Sequence, residues 1–184
     1  MPIPENLFIF EMANNRQGSL DNGLRLIEVL GGIARKHGIN GAVKLQYRNL
    51  PDFVHPGFRE KEGVAHVRRF LDTMLTAEEF RRMVEAVKAA GMTAVCTPFD
   101  EESVDLCVEH GIQILKIASC GAADWPLLEK AGKSDLPLIV STGGKTLEDM
   151  DKLNSFFLHR KSEFAFLHCV AVYPAPLESL QLDM

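Results

Sequence analysis

The stretch Thr93–Ser119, TAVCTPFDEESVDLCVEHGIQILKIAS, holds one full turn of the pattern that decides the fold. It opens on an apolar run, Thr93–Thr97 (TAVCT). Asp100, a helix N-cap candidate, then precedes Val104, Leu106, Cys107 and Val108 at helical spacing. The helix signal stops near Gly111, and a second apolar run, Ile114–Ala118 (ILKIA), follows. A strand apolar on both faces, a capped helix and another such strand form a βαβ unit, the connection that joins parallel strands.

The same unit recurs on both sides. Leu7–Glu11 (LFIFE), Ala42–Tyr47 (AVKLQY), Leu138–Ser141 (LIVS) and Phe164–Val170 (FAFLHCV) are further strand candidates. Ser19 can start a helix through Leu24, Ile27, Leu30 and Ile33, ending near Gly38. Thr76-Ala-Glu-Glu79 reads as a capping box ahead of Phe80, Met83, Val84, Val87 and Ala90, with Gly91 as the stop. Thr146 can cap a helix through Leu147, Met150 and Leu153, and Trp125 before Pro126 is expected to pack at a helix start.

The alternation predicts an α/β protein with a parallel sheet, either doubly wound or a (β/α)8 TIM-type barrel. The strand ends favour the barrel. Polar residues stand at or just beyond almost every one: Glu11 with Asn14 and Asn15, Lys44 with Gln46, Thr97, Lys116 with Ser119, Ser141 with Thr142, and Tyr173. Barrels assemble sites from several strands in this way, whereas a doubly wound sheet concentrates its site at one switch point. Six strands are read where a barrel needs eight, so residues 1–184 are expected to be one N-terminal barrel domain cut short after strand six. One long connection, Arg48 to Leu75, carries Pro51, His55, Pro56, Gly57, Arg59 and Lys61 and is expected to be a lid or binding loop.

Composition narrows the function classes. The 184 residues are 46% hydrophobic and 24% charged, as in ordinary globular proteins, which excludes disorder as the main state. A net charge of −5 without a basic run argues against nucleic-acid or anionic-membrane partners. No apolar run is long enough to span a bilayer, and MPIPENLFIFEM has none of the features of a secretory signal. Cys96, Cys107, Cys120 and Cys169 show no CxxC spacing. They read as small, buried, reduced thiols of a cytoplasmic protein.

Lys44 and Lys116 are the most informative residues, because each interrupts an otherwise apolar strand. A buried ammonium needs an anion or carboxylate beside it. Two on different strands point to a small, multiply charged anion at the barrel mouth; the alternative is internal salt bridges, with Glu11 as a partner. Thr97, Ser119, Ser141 and Thr142 supply hydroxyls and nearby backbone N–H groups suited to phosphate oxygens, or else serve as turn and cap residues. STGGKT (Ser141–Thr146) is not a nucleotide P-loop, since position 139 is Ile where the motif needs Gly. Gly143-Gly144 reads instead as a tight turn. His168 reads as a satisfied core histidine, and the histidine spacings offer no metal site.

Taken together, EMANNRQGS (Glu11–Ser19), VKLQ (Val43–Gln46), TPFD (Thr97–Asp100), LKIAS (Leu115–Ser119), VSTG (Val140–Gly143) and LHCVAVYPAP (Leu167–Pro176) resemble the N-terminal barrel of the sialic acid synthase family. That family comprises N-acetylneuraminate synthase and its spore-coat polysaccharide relatives. The resemblance implies condensation of phosphoenolpyruvate with an N-acyl mannosamine-type amino-sugar aldehyde to a nine-carbon 2-keto acid and phosphate, in surface polysaccharide biosynthesis. It implies that Lys44 and Lys116 bind phosphoenolpyruvate, with Lys116 catalytic. Thr97, Ser119 and Ser141 then hold its phosphate and carboxylate. Gln46 and Tyr173 fall on the sugar side, Asn15 among the substrate-binding positions, and Gln17 where the family's acidic catalyst falls. A divalent metal (Mn or Mg) is also implied, with ligands from strands seven and eight outside this chain, as is a homodimer in full-length form. The sequence departs from the family pattern at Arg16 and Gln17 in the first loop, at Ala171 two residues before Tyr173, and at Gly121. Two other functions compete: a Schiff-base aldolase using Lys116, and a catalytically weak binding or assembly protein.

Overall fold

A computed structural model describes residues 2–50, 54–58, 65–172 and 174–182. Six strands form one parallel sheet in the order β1-β2-β3-β4-β5-β6. They are β1 (Phe8–Glu11), β2 (Gly41–Tyr47), β3 (Thr93–Pro98), β4 (Ile114–Ile117), β5 (Leu138–Ser141) and β6 (Phe164–Leu167). The α-helices among the described residues are α1 (Leu20–His37), α2 (Ala65–Asp72), α3 (Ala77–Ala89), α4 (Glu101–Glu109), α5 (Trp125–Gly132) and α6 (Leu147–His159). Sequential strand order is the winding of a barrel, since a doubly wound sheet reverses direction part-way.

The local signals act as the sequence implies. Ser19, Thr76, Asp100 and Thr146 all cap helices, the two threonines within full capping boxes. Asp124 caps α5 at Trp125, whose ring lies 5.3 Å from that of Phe156 on α6. The strands match their expected positions to within a residue except β6, which ends at Leu167 instead of Val170. Its neighbour β5 stops at Ser141, paired with Leu167, and no ladder remains to hold the chain extended. The Arg48–Leu75 connection is partly helical: α2 lies within it. Pro51, Arg59 and Lys61 of that connection, like Tyr173, lie outside the described residues.

Strand alternation gives the sheet two different faces. Val43, Leu45 and Tyr47 of β2, Ala94 and Cys96 of β3, Leu115 and Ile117 of β4, and Leu138 and Val140 of β5 pack against the helices in one large core. The opposite face carries a small cluster of Ala42, Val95, Ile114 and Ile139, joined by Ile3, Leu7 and Ile9. The sheet curls around this inner face. Ile9 of β1 and Ala165 of β6 line one cavity, and the Ile3 N–H donates to the Glu163 carboxylate just before β6. The result is a curled partial barrel of six strands with helices outside.

Two sequence readings need correction. His168 is exposed and pairs through Nε2 with the Leu180 carbonyl at 2.8 Å; it is not a core histidine, because the shortened β6 leaves it beyond the sheet. Only Cys96 and Cys107 are buried, whereas Cys120 is exposed and Cys169 partly so, both lying in loops past strand ends.

Candidate active site

On β1 to β5 the residue two places beyond the apolar cluster reaches the C-terminal rim. Ile9 leads to Glu11, Ala42 to Lys44, Val95 to Thr97, Ile114 to Lys116 and Ile139 to Ser141. The period of two thus converts a dry floor into a ring of polar groups one layer higher. Glu11, Lys44, Lys116, Ser141 and Cys169 line an open cleft of about 650 Å³ whose floor includes Ile9 and Ile139.

Lys44 is only 8% exposed. Its ammonium contacts the Glu11 carboxylate and donates to Thr97 Oγ1 at 3.3 Å. The internal salt bridge weighed as the alternative to an anion site is therefore present for Lys44. Glu11 is not spent on it alone, since its Oε1 also accepts the Ala13 N–H at 3.0 Å, tying down the turn after β1. Lys116 forms no salt bridge with the described residues. Burial and the like charge of Lys44 pull its pKa below the ordinary lysine value, so the cleft is electropositive where the two lysines converge.

Ser141 is buried at the cleft wall. Ser119 holds the neighbouring turn: its Oγ accepts the Gly143 N–H at 3.1 Å. A Cβ on Gly143 would stand 2.8 Å from that oxygen and 3.3 Å from Cys169 Cβ, so the close approach requires glycine. Gly144 takes φ +71°, giving the tight turn expected of the pair.

The remaining site candidates separate. Asn15 and Gln17 are on the exposed side of the turn between β1 and α1, beside Asn22, Arg25 and Leu26 of α1, and do not line the lysine cleft. Arg16 between them turns inward and is 4% exposed. Gln46 faces Arg16 across a small second cavity, with Asn14 and Arg48. In the sequence Arg16 stands out only as a departure from a motif; an isolated arginine in a turn carries no periodic signal of burial. Among the described residues no three His, Cys, Asp or Glu side chains converge, so these residues do not by themselves compose a divalent-metal site.

Residues 32–184 match the NeuB family. The chain belongs to the NeuB family. The spore coat polysaccharide biosynthesis protein E of Chromobacterium violaceum is 48% identical and superposes with a TM-score of 0.93 over 97% of this chain and 53% of that one. The N-acetylneuraminic acid synthetase of Leptospira borgpetersenii serovar Hardjo-bovis, solved in complex with citrate, is 30% identical with a TM-score of 0.83, covering 98% of this chain and 59% of that one. The N,N'-diacetyllegionaminic acid synthase of Campylobacter jejuni is 25% identical over 189 residues, which is 98% of this chain and 56% of that protein. The chain spans about half the length of the relatives it matches. This membership agrees with the resemblance carried by TPFD, LKIAS, VSTG and LHCVAVYPAP. No helix among the described residues is long and apolar enough to cross a membrane.

Proposed function

We propose that this NeuB-family barrel binds phosphoenolpyruvate between Lys44 and Lys116 and serves its condensation with an amino-sugar aldehyde to a nine-carbon 2-keto acid. The observation that carries the reading is the convergence of two inner-face lysines, with Ser141, over one open cleft. Phosphoenolpyruvate carries a phosphate and a carboxylate on three carbons, so two cations and neighbouring hydroxyls complement it. The names of the relatives, synthases of sialic and legionaminic acids, support the same chemistry.

In this reading Lys116 and Lys44 hold the anionic groups and offset the charge that builds as the enol carbon attacks the aldehyde. Water adds at the former enol carbon and inorganic phosphate leaves. Thr97 orients the Lys44 ammonium, and Ser119 with Gly143 shapes the turn that closes the cleft beside Ser141. Asn15, Gln17 and Tyr173 stay as proposed contributors from the family resemblance. The divalent metal that the resemblance implies would take its ligands from elsewhere, and the roles given to these residues stand without it. The reading carries with it a cytoplasmic setting and a homodimer.

The test is calorimetric titration with phosphoenolpyruvate. Lys116→Ala should weaken binding at least tenfold, which corresponds to about 1.4 kcal/mol. Unchanged affinity in a folded variant would end the proposal. A lysine with a lowered pKa also suits imine formation, so the aldolase alternative is checked by borohydride trapping with pyruvate. The synthase reading expects no covalent adduct on Lys116.

A further inference from the structure

Among the described residues Arg16 is a buried cation without an anion. It is 4% exposed, and its Nη1 has no hydrogen-bond partner. No carboxylate among the described residues forms a salt bridge with it. Its guanidinium carbon lies 5.1 Å from the centre of the Phe80 ring, a contact that stabilises a cation without satisfying its N–H groups. The acidic group that acts on it through space is Glu79, whose carboxylate is committed to the Thr76 capping box at 2.8 Å. An unsatisfied buried N–H on a charged group is costly enough to call for a function.

The surroundings sharpen this. Arg16 lines a cavity of about 30 Å³ with Asn14, Gln46, Arg48 and Thr73. That is room for two or three water-sized atoms, since one needs about 10–15 Å³. The size admits the leading oxygens of one oxyanion and excludes a sugar ring. Arg48 brings a second guanidinium, stacked 3.8 Å from the Phe99 ring centre and donating to Gln46 Oε1 at 3.1 Å. Burial, and in smaller part the charge of Arg16, pull Arg48 down to about 10. Rigid positioning supports the same view. Gly18 after Arg16 takes φ +72°, and a Cβ there would stand 2.7 Å from the Asp72 carbonyl, so the turn is pressed against the end of α2.

We propose that Arg16 and Arg48 form an oxyanion subsite that receives a negatively charged substituent, phosphate ester or carboxylate, of the second substrate. Gln46 places this subsite relative to the lysine cleft. Gln46 and Lys44 lie two residues apart on the same face of β2, a separation of about 6.6 Å at 3.3 Å per residue. A substrate in the cleft could therefore reach the subsite with an acidic substituent a few bonds from its aldehyde. The proposal rests on the phosphoenolpyruvate reading for the identity of the second substrate, while the anion site itself does not.

The experiment titrates inorganic phosphate calorimetrically into the wild-type chain, Lys116→Ala and Arg16→Gln, with each fold checked by its urea unfolding midpoint. The wild type should bind two equivalents, and each variant should keep one. Arg16→Lys should keep the second site at weaker affinity, because it retains charge without the planar fork. Phosphate binding in folded Arg16→Gln indistinguishable from the wild type would overturn the subsite. If Lys116→Ala changes nothing while Arg16→Gln loses one equivalent, the subsite stands and the phosphoenolpyruvate reading falls. Competition then identifies the substituent. Mannosamine-type sugars bearing a phosphate ester or a uronate should displace the Arg16-bound phosphate, the better competitor naming the group. Equal displacement by neutral N-acetylmannosamine would overturn the assignment to an acidic substrate.

Discussion

Lys44→Met separates what the lysine does for the fold from what it does for a ligand. Methionine keeps the length and most of the volume of the side chain, so repacking costs under about 1.5 kcal/mol. Removing the ammonium relieves the desolvation of a group only 8% exposed. Removing one partner of a buried ion pair costs about 3–5 kcal/mol only where the charge left behind stays buried. Against this, Thr97 loses the Lys44 donor at 3.3 Å, a bond contributing about 1 kcal/mol. Glu11 loses its partner, but its side chain is 47% exposed at the cleft mouth and is rehydrated, not stranded. These terms nearly cancel, and the free energy of unfolding should change by no more than about 1 kcal/mol. Binding has no such cancellation. A charge-assisted bond to phosphate contributes about 1.5–3 kcal/mol, roughly ten- to a hundredfold in Kd. Glu11, left uncompensated in the cleft, adds repulsion. Urea unfolding and titration with phosphoenolpyruvate measure the two quantities separately. A stability loss above about 3 kcal/mol would make Lys44 a structural member of the Lys44–Glu11 pair and refute this argument. So would full affinity in the variant.

Gly143→Ala should destabilise the chain by about 1–3 kcal/mol and weaken phosphoenolpyruvate binding, because the new methyl collides with Ser119 Oγ; combining it with Ser119→Ala should recover part of the unfolding midpoint. Lys116 titrates below its ordinary 10.5 because burial and Lys44 disfavour its charge. The folded chain therefore sheds this proton before the unfolded chain does, and unliganded stability should rise with pH between the lowered value and 10.5. Affinity for phosphoenolpyruvate should fall across the same interval, and Lys116→Met should remove both trends from pH-resolved unfolding and titration. Finally, β1 and β6 each have one strand neighbour among the described residues, and Phe8 and Leu167 on them are exposed. Residues 1–184 expressed alone should self-associate in light scattering, and a dilution-stable monomer would contradict the open-edge argument.

Much of this was legible in the sequence because its signals are local and redundant. Asp100, Gly111 and the two apolar runs around them specify a βαβ unit without reference to the rest of the chain. Repetition of polar residues at strand ends then separates a barrel from a doubly wound sheet. Lys44 and Lys116 stood out because an ammonium inside an apolar strand has few physical explanations. The turn after β1 did not yield to the same reasoning. Asn15, Arg16 and Gln17 are consecutive polar residues, and which one turns inward depends on backbone conformation, with Ala13 at φ +44° and Gln17 at φ +54°. No periodicity reports that choice. The sequence overstates the extent of β6 for a related reason. FAFLHCV is apolar throughout, but a strand lasts only as long as its neighbour, and β5 ends at Ser141.

The division between the two sheet faces explains how a fold tolerates a ring of buried charge. The helix-facing side joins residues of every β–α layer, with Tyr47, Leu115, Leu138 and Phe157 all fully buried, and it carries the hydrophobic stabilisation. The inner face is apolar through a small cluster at its floor, Ala42, Val95, Ile114 and Ile139 with Ile3, Leu7 and Ile9 against them. Polar groups one step above that floor interrupt little packing, so the energetic penalty of Lys44 and Lys116 is borne by a core on the opposite face of the sheet. Substitutions should sort accordingly. Truncating Leu115 or Val140 should lower stability by about 2–5 kcal/mol for the larger side chain and less for the smaller. Truncating the neighbouring Lys116 should cost ligand affinity while leaving the fold intact. Such a separation between adjacent residues of one strand follows only if the sheet is held from its outer side and the cleft is built on its inner side.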